Sequence, residues 1–351
     1  MIHSKARSIL KQLELPSPLR KKSSSLKTVV DLSNNTNPFG GMWSSYSDIS
    51  QIEIKQQYLK TIFGLNQRID PSLPSHFLST DQIQLTVGSI EGLDLVQRTF
   101  TDPGDTIVIP SPSFEGFQHW GLINSLTIET IPLQGENFET LDIDRIQRLS
   151  PKMVFICDPN NPTGTHLRPE IVPRLCESVS GFVVVDEAYI EFSERPSCIR
   201  YLKDFKNLII LRTLSKAWGL AGLRCGAVLS SDPYVIESLK YIQIPFGLST
   251  PAQTQLRKKV GNMKALLESR QKIINNREMF LKKIKKSSQI EKIFSSHTNF
   301  ICIVLKDFQK ILRNFQKAGI KVADCSAVVP NAVRITVTTN PDMNKAAQLL
   351  I

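Results

Sequence analysis

The feature that most narrows the fold of this chain is a series of short apolar runs, rich in β-branched residues, with helical stretches between most of them. After the alternating segment Gln82–Val87 come Thr106–Pro110, Leu126–Ile131, Met153–Cys157, Phe182–Val185, Leu208–Leu211 and Cys225–Leu229. A strand that is apolar on both faces must be covered on both, and strands that alternate with helices pair mostly in parallel. The expected fold class is therefore α/β, a mostly parallel central sheet flanked by helices. In such a sheet a ligand sits beyond the C-terminal strand ends. The residues just past each run are the ones to read for chemistry.

Past Gln82–Val87 stands Gly88-Ser-Ile90, at the start of an amphipathic helix. Unpaired backbone N–H groups there suit an anion, although a simple cap reads the same way in isolation. Past Met153–Cys157 comes the turn cluster Asp158-Pro-Asn-Asn-Pro-Thr-Gly164, and past Phe182–Val185 comes Asp186-Glu-Ala-Tyr189. A carboxylate at the end of an apolar strand is costly to desolvate unless it meets a cation or a donor, so Asp186 needs a specific partner. Past Leu208–Leu211, Lys216 lies between Thr213 and Ser215, and Arg224 follows within Gly222-Leu-Arg-Cys-Gly226. A lysine amine condenses with an aldehyde, while hydroxyls and an arginine hold phosphate. Pyridoxal phosphate carries both groups. Lys216 would take its aldehyde, and Asp186 would pair with the pyridinium nitrogen so that the ring accepts electrons. Asn161 and Tyr189 could bond the ring hydroxyl, and Phe114 could stack on the ring. The segment Gly88-Ser89-Ile90, with Ser215 and Arg224, could hold the phosphate.

The 351 residues suffice for a large domain and a smaller one, and 41% hydrophobic with 21% charged residues is ordinary for a globular protein with a sizeable core. Residues 1–40 read as a loosely structured N-terminal arm packing on the small domain. Residues 41–250 read as the large cofactor-binding domain, and 251–351 as a linker helix and a small α+β C-terminal domain. In that last part, helix from about Ser249 to Lys286 precedes strands at Asn299–Leu305, Lys321–Val322 and Arg334–Thr338 and helices at Phe308–Ala318 and Met343–Leu350. The net charge of +11 is uneven, since residues 251–351 hold 19 Lys and Arg against 6 Asp and Glu. These lysines decorate helix without interleaved aromatics, so a solvated face with attraction for anionic substrates is expected rather than nucleic-acid binding. No apolar run is long enough for a membrane span, the N-terminus lacks a secretory apolar stretch, and the cytoplasm is the expected location. The six cysteines form no C-x-x-C pair and read as reduced thiols, and the five histidines show no metal-ligand spacing.

Three stretches carry a family likeness: Pro159-Asn-Asn-Pro-Thr-Gly164, Asp186-Glu-Ala-Tyr-Ile-Glu-Phe192 and Leu211-Arg-Thr-Leu-Ser-Lys-Ala-Trp-Gly-Leu-Ala-Gly-Leu-Arg-Cys-Gly226. With these the chain resembles the class I/II aminotransferases of the fold-type I pyridoxal-phosphate superfamily, and more narrowly the histidinol-phosphate aminotransferases. The resemblance implies an aspartate-aminotransferase-like large domain. It makes Lys216 the Schiff-base lysine and proton shuttle, and it places Asp186 on the ring nitrogen and Asn161 and Tyr189 on the ring hydroxyl. Ser89, Ile90, Ser215 and Arg224 fall on the phosphate with Thr213 nearby, and Phe114 takes a stacking position where tyrosine is common. Tyr46 would reach the neighbouring subunit's site, which implies a homodimer with shared active sites. Arg334 would bind the acidic group of the substrate, with Asn35 also on the substrate side.

The implied reaction moves an amino group from histidinol phosphate to a 2-oxo acid, 2-oxoglutarate above all, as in histidine biosynthesis. Four positions depart from the pattern: Thr36 replaces a glutamate, Ser47 a proline, Phe114 a tyrosine and Ala323 a basic residue. Aromatic amino acid aminotransferases and threonine-phosphate decarboxylases are the alternatives, the latter through Asp31-Leu-Ser-x-Asn-x-Asn-Pro-x-Gly40. A non-catalytic, cofactor-binding regulator is the reading from another class. It would carry a DNA-reading module in front of the likeness, where only about 30 residues stand.

Overall fold

The computed structural model describes residues 2–15 and 34–351. The first long element is α1 (Ile52–Ile69). Then β1 (Ile83–Thr86), α2 (Gly88–Phe100), β2 (Thr106–Ser111), α3 (Gly116–Ile123), β3 (Thr127–Pro132), α4 (Ile143–Leu149) and β4 (Met153–Cys157) follow. The layer closes with α5 (Ile171–Ser178), β5 (Phe182–Asp186), β6 (Leu208–Thr213), β7 (Gly226–Leu229) and α6 (Pro233–Leu239). The strands form one seven-stranded sheet in the order β1-β7-β6-β5-β4-β2-β3. Pairings among β2 to β6 are parallel, and β7 runs against both of its neighbours. The sheet is thus mostly parallel, as its apolar runs require.

Strand alternation divides the core in two. Val183 and Val185 of β5 pack on one face with Val154, Ile156, Leu208 and Ile210. Phe182 and Val184 pack on the other with Met153, Phe155, Ile209 and Leu211. Each face is buried, which explains why β4 to β6 read as continuous apolar runs.

Beyond the sheet lie α7 (Thr250–Lys259) and α8 (Met263–Ile284). The expected single helix is therefore broken at Val260-Gly-Asn262. Asn262 starts α8 by accepting from the Ala265 N–H at 3.0 Å, as Asp142 and Asp232 do for α4 and α6. A four-stranded antiparallel sheet follows, in the order β10-β11-β9-β8, from β8 (Ile290–Ile293), β9 (Phe300–Leu305), β10 (Ala323–Asp324) and β11 (Ala332–Thr336). With α9 (Phe308–Lys317), α10 (Asn340–Gln348) and the second half of α8 it encloses its own core around Ile301, Phe315 and Val333.

Several expectations are corrected. The short strand expected at Lys321–Val322 lies at Ala323–Asp324 instead. α1 had no sequence signal at its start, because Gln51 enters in the left-handed region with φ 51 and offers no side-chain cap. The N-terminal arm, as far as it is described, packs on the large sheet rather than on the small one. There the His3 N–H donates to Ser238 at 2.8 Å, the Arg7 N–H to the Thr99 carbonyl at 2.6 Å, and Ala6 joins the sheet core. Residues 16–33, with Asp31-Leu-Ser33, lie outside the described residues. No helix among the described residues is long and apolar enough to cross a membrane.

Candidate active site

Three strands end side by side and set the site. Thr86 of β1 and Thr213 of β6 both pair with Gly226 of β7, and Leu211 of β6 pairs with Asp186 of β5. The helix start after β1, the turn after β5 and the loop after β6 therefore open at one edge. Their side chains line a cavity of about 250 Å³, with Ser89, Ile90, Phe114, Asn161, Asp186, Tyr189, Thr213, Ser215, Lys216 and Arg224 in its wall. Asp186 and Lys216 thus face one space. Cys157, Ala188 and Ala221 also line it. Cys157 was legible as a strand end, since it pairs with Asp186; the two alanines carried no chemical signal.

One end of the cavity is built for an anion. α2 begins without a side-chain cap, so its first N–H groups are left for another acceptor. Gly88 has φ +75, and a Cβ there would come 2.7 Å from Arg224 Nη2. The glycine therefore admits the guanidinium against the helix start. A Cβ on Gly226 would meet the Ser89 nitrogen at 2.4 Å, so β7 and α2 can press together only through a glycine. The Thr213 hydroxyl accepts from the Ser215 N–H at 3.2 Å, which fixes the turn between the strand and the lysine. Arg224 itself sits in the left-handed region, and its Nη1 donates to the Ala221 carbonyl at 3.1 Å.

The other end carries paired ionisable groups. Asp186 is buried, and its carboxyl is pushed up to about 7, by burial first, against the Ala188 N–H and the charge of Lys216. The Ala188 N–H donates to Asp186 Oδ1 at 3.0 Å. Such a carboxyl calls for a cationic N–H partner. The Lys216 amine is lowered from the ordinary lysine value, by burial first and then by Arg334, with Asp186 opposing and Arg224 adding. Lys216 is open to the cavity itself, and its Nζ lies 5.5 Å from the Tyr189 ring centre. Burial raises the Tyr189 phenol, whose ring packs edge-on against Phe300 at 5.0 Å. Phe114 stands edge-on to Phe117 at 5.6 Å, and Phe117 stacks on the core ring Phe155. These donors match pyridoxal phosphate: an anion cradle at one end, a buried carboxyl at the other, and an amine of reduced basicity between them.

A second cavity of about 330 Å³ shares Phe114, Asn161, Tyr189 and Lys216 with the first. Its other wall comes from the small sheet: Ala323, Asp324, Cys325, Val328 and Arg334, with Glu115 from the large one. Arg334, on β11 opposite Cys302 and Ala323, donates through Nη1 to Asn161 Oδ1 and lies 5.3 Å from the Phe300 ring. Glu115 and Asp324 had no individual signal in the sequence, because only the packing of the two sheets brings them to one wall.

Two expected residues stay apart. Asn35 is exposed and lines neither cavity, and its neighbours 37–40 form a turn of their own, with the Phe39 N–H on Asn37 Oδ1 at 3.0 Å and the Gly40 N–H on the Asn37 carbonyl at 3.1 Å. Within a single chain Asn35 thus lies apart from the other expected site residues. Tyr46 is 58% exposed, stacks on Phe246 at 4.5 Å and also lies outside both cavities.

Comparison with known proteins places these features in context. The family model for aminotransferase class I and II matches residues 33–350. Histidinol-phosphate aminotransferase 1 of Legionella pneumophila (strain Lens) is 32% identical over 301 residues, 83% of this chain and 82% of the relative. Histidinol-phosphate aminotransferase 2 of Archaeoglobus fulgidus is 30% identical over 335 residues, 92% of this chain and 93% of the relative. The fold is shared with the crystal structure of histidinol-phosphate aminotransferase from Sinorhizobium meliloti in complex with pyridoxal-5'-phosphate. That similarity has a TM-score of 0.75 at 22% identity, covering 89% of this chain and 83% of the other.

Proposed function

The chain belongs to the class I and II aminotransferases, and from that premise we propose that it binds pyridoxal phosphate in the strand-end cavity and moves an amino group from histidinol phosphate to 2-oxoglutarate. The observation that carries this reading is the shared wall of the two cavities, where Lys216 faces the cofactor side and the substrate side at once. When bound, the cofactor supplies an aldehyde for the amino group and a ring that accepts electrons. Lys216 would be the residue that anchors that aldehyde. Its amine, held below the ordinary lysine value by burial, would take the proton from the donor's α-carbon. Asp186 holds the proton on the ring nitrogen, and Asn161 and Tyr189 hold the ring hydroxyl. The N–H groups of Ser89 and Ile90, with Thr213, Ser215 and Arg224, hold the phosphate. Donor and 2-oxo acid would use the same Lys216 in turn, so ping-pong kinetics are expected.

The substrate side supports a donor with one anionic group. Besides Lys216, Arg334 is the cation lining that cavity among the described residues, while Glu115 and Asp324 add two carboxylates. A phosphate on Arg334 and a proton-bearing imidazole toward the carboxylates suit this distribution, and Ala323 leaves room. Arg334→Ala is expected to lower kcat/KM for histidinol phosphate roughly 10- to 100-fold, the worth of a charged hydrogen bond, as steady-state kinetics would measure. The deciding experiment is a donor panel with 2-oxoglutarate. Histidinol phosphate should give the highest kcat/KM. A higher value for phenylalanine or tyrosine overturns the substrate and keeps the class, and carbon dioxide released from threonine phosphate points to the decarboxylase chemistry.

The site is completed in a homodimer. Phe39, Met42, Trp43 and Tyr46 are 93, 78, 57 and 58% exposed, and Ile244 beside Phe246 is 70% exposed. So much exposed apolar surface in one segment is a contact face. Hybrid dimers of Tyr46→Ala and Lys216→Ala chains should regain roughly half of the wild-type rate, because one of the two sites is then intact. If Tyr46 served its own chain, the hybrid would do no better than the Tyr46→Ala dimer.

A further inference from the structure

Behind the turn that carries Asp186, the strand ends are joined by charge. Past the pairing of Asp186 with Leu211, the Glu187 N–H makes one more ladder bond to the Leu211 carbonyl at 2.9 Å. The two chains then diverge, one into the 187–192 turn with Tyr189, the other into the loop with Lys216. Arg212 spans the gap. Its Nη1 meets Glu187 Oε2 at 2.7 Å and its Nη2 meets Glu191 Oε1 at 2.8 Å. The same Glu191 oxygen accepts from Trp218 Nε1 at 3.4 Å, two residues past Lys216. The Ser197 hydroxyl and the Cys198 N–H complete Glu187 at 2.5 and 2.6 Å. Trp218 packs on Tyr58 of α1 at 5.6 Å.

This cluster is poor value as a source of stability. The side chains of Glu187, Glu191 and Arg212 are 0, 1 and 3% exposed, and two carboxylates share one guanidinium. Glu191 Oε2 and Arg212 Nε, both buried, have no hydrogen-bond partner among the described residues. Buried ion clusters of this kind cost several kcal/mol of desolvation per ion, and apolar replacements of similar volume are often as stable. What the cluster supplies is geometry. On β6 the side chains alternate, so Thr213 faces the cofactor cavity while Arg212 points away into a separate cavity wall with Glu191 and Ser197. Arg212 therefore touches neither substrate nor cofactor.

We propose that Arg212 is a positioning residue for amino transfer, tying the turn that carries Asp186 and Tyr189 to the loop that carries Lys216. It rests on the aminotransferase reading and adds to it the residue that sets the spacing of the acid and the amine. Loss of this tie lets the Lys216 loop drift, and an ångström of drift at the reacting amine costs on the order of 100-fold in rate.

The test uses the full-length protein with Arg212→Met, Arg212→Lys and Trp218→Phe. In the loaded enzyme, Arg212→Met should lower kcat roughly 10- to 100-fold while KM for the donor stays within about threefold. In cofactor-free protein, the pH midpoint for reductive methylation of Lys216, followed by peptide mass spectrometry, should rise toward that of an ordinary lysine. Arg212→Lys, which keeps a cation in reach of the carboxylates, should recover part of both effects. Trp218→Phe should show the same two changes at smaller size, and with Arg212→Lys it decides the matter if Arg212→Met does not fold. An unchanged Lys216 midpoint with kcat within twofold of wild type in these variants overturns the proposal. So does a kcat loss that follows only the loss of thermal stability, with the midpoint unmoved. Should wild type transaminate no donor, the aminotransferase reading fails, and the Lys216 midpoint still reports on the tie.

Discussion

Lys216→Ala is expected to lower kcat by roughly 10⁴-fold or more, because in the proposed mechanism one amine would serve both as the cofactor's covalent anchor and as the proton carrier. Among the described residues lining the two cavities there is no other primary amine to form that bond. The Cys157 thiol and the Tyr189 phenol are both pushed up by burial and hold their protons at neutral pH. In the proposed site Asp186 would be occupied at the far end of the ring. Lys216→Arg should be as inactive, since a guanidinium keeps the charge but forms no bond with an aldehyde. Steady-state rates and the visible absorbance of the cofactor-saturated protein check both variants. Wild-type protein should gain a band that neither variant shows, and a wild type without that band would refute the cofactor assignment.

Asp186→Asn is expected to lower kcat roughly 10²- to 10³-fold, the usual worth of a preorganised charge at a reacting group. The amide can still accept from the Ala188 N–H, so the turn should survive, but it cannot hold a proton on the ring nitrogen. The same residue imposes a pH dependence on stability. Burial raises the Asp186 carboxyl from 3.8 to about 7 in the cofactor-free protein. The folded state therefore binds this proton more tightly than the unfolded chain does. The resulting stabilisation is complete below the ordinary carboxylate value and is lost as pH rises toward about 7. Urea titrations between pH 4 and 8 should show that decline in wild type and not in Asp186→Asn. Saturation with pyridoxal phosphate should flatten it, because a ring N–H replaces the missing partner.

The parts legible in the sequence were those governed by local pattern. Met153–Cys157 is the observed β4 to the residue, because a strand buried on both faces has no polar positions to blur its ends. The strand-end residues from Ser89 to Arg224 meet in one cavity because a parallel sheet carries them to one edge. What escaped depends on distant packing. α1 buries Ile54, Tyr58, Ile62 and Asn66 at helical spacing, yet its uncapped start gave no boundary. Glu115 and Asp324 become neighbours of one cavity only when β10 and the start of α3 face each other. The arm is held there by backbone N–H groups on the Ser238 hydroxyl and the Thr99 carbonyl, and by the pairs His3–Asp232 and Ser8–Asp102, which no residue pattern announces. Asn35 and Tyr46 lie on a segment whose apolar side chains are left uncovered by their own chain.

The 22-residue α8 is a rod of about 33 Å. About a third of the way along it, Arg270 Nη2 donates to the Ser193 carbonyl at 3.0 Å, just past the turn that bears Tyr189. Two helical turns on, Arg277 Nη1 donates to the Thr298 carbonyl at 2.9 Å, just before the strand whose Phe300 lies under Arg334. A rod pinned at both places gives the turn that bears Tyr189 and the strand that carries Phe300 one common rigid support.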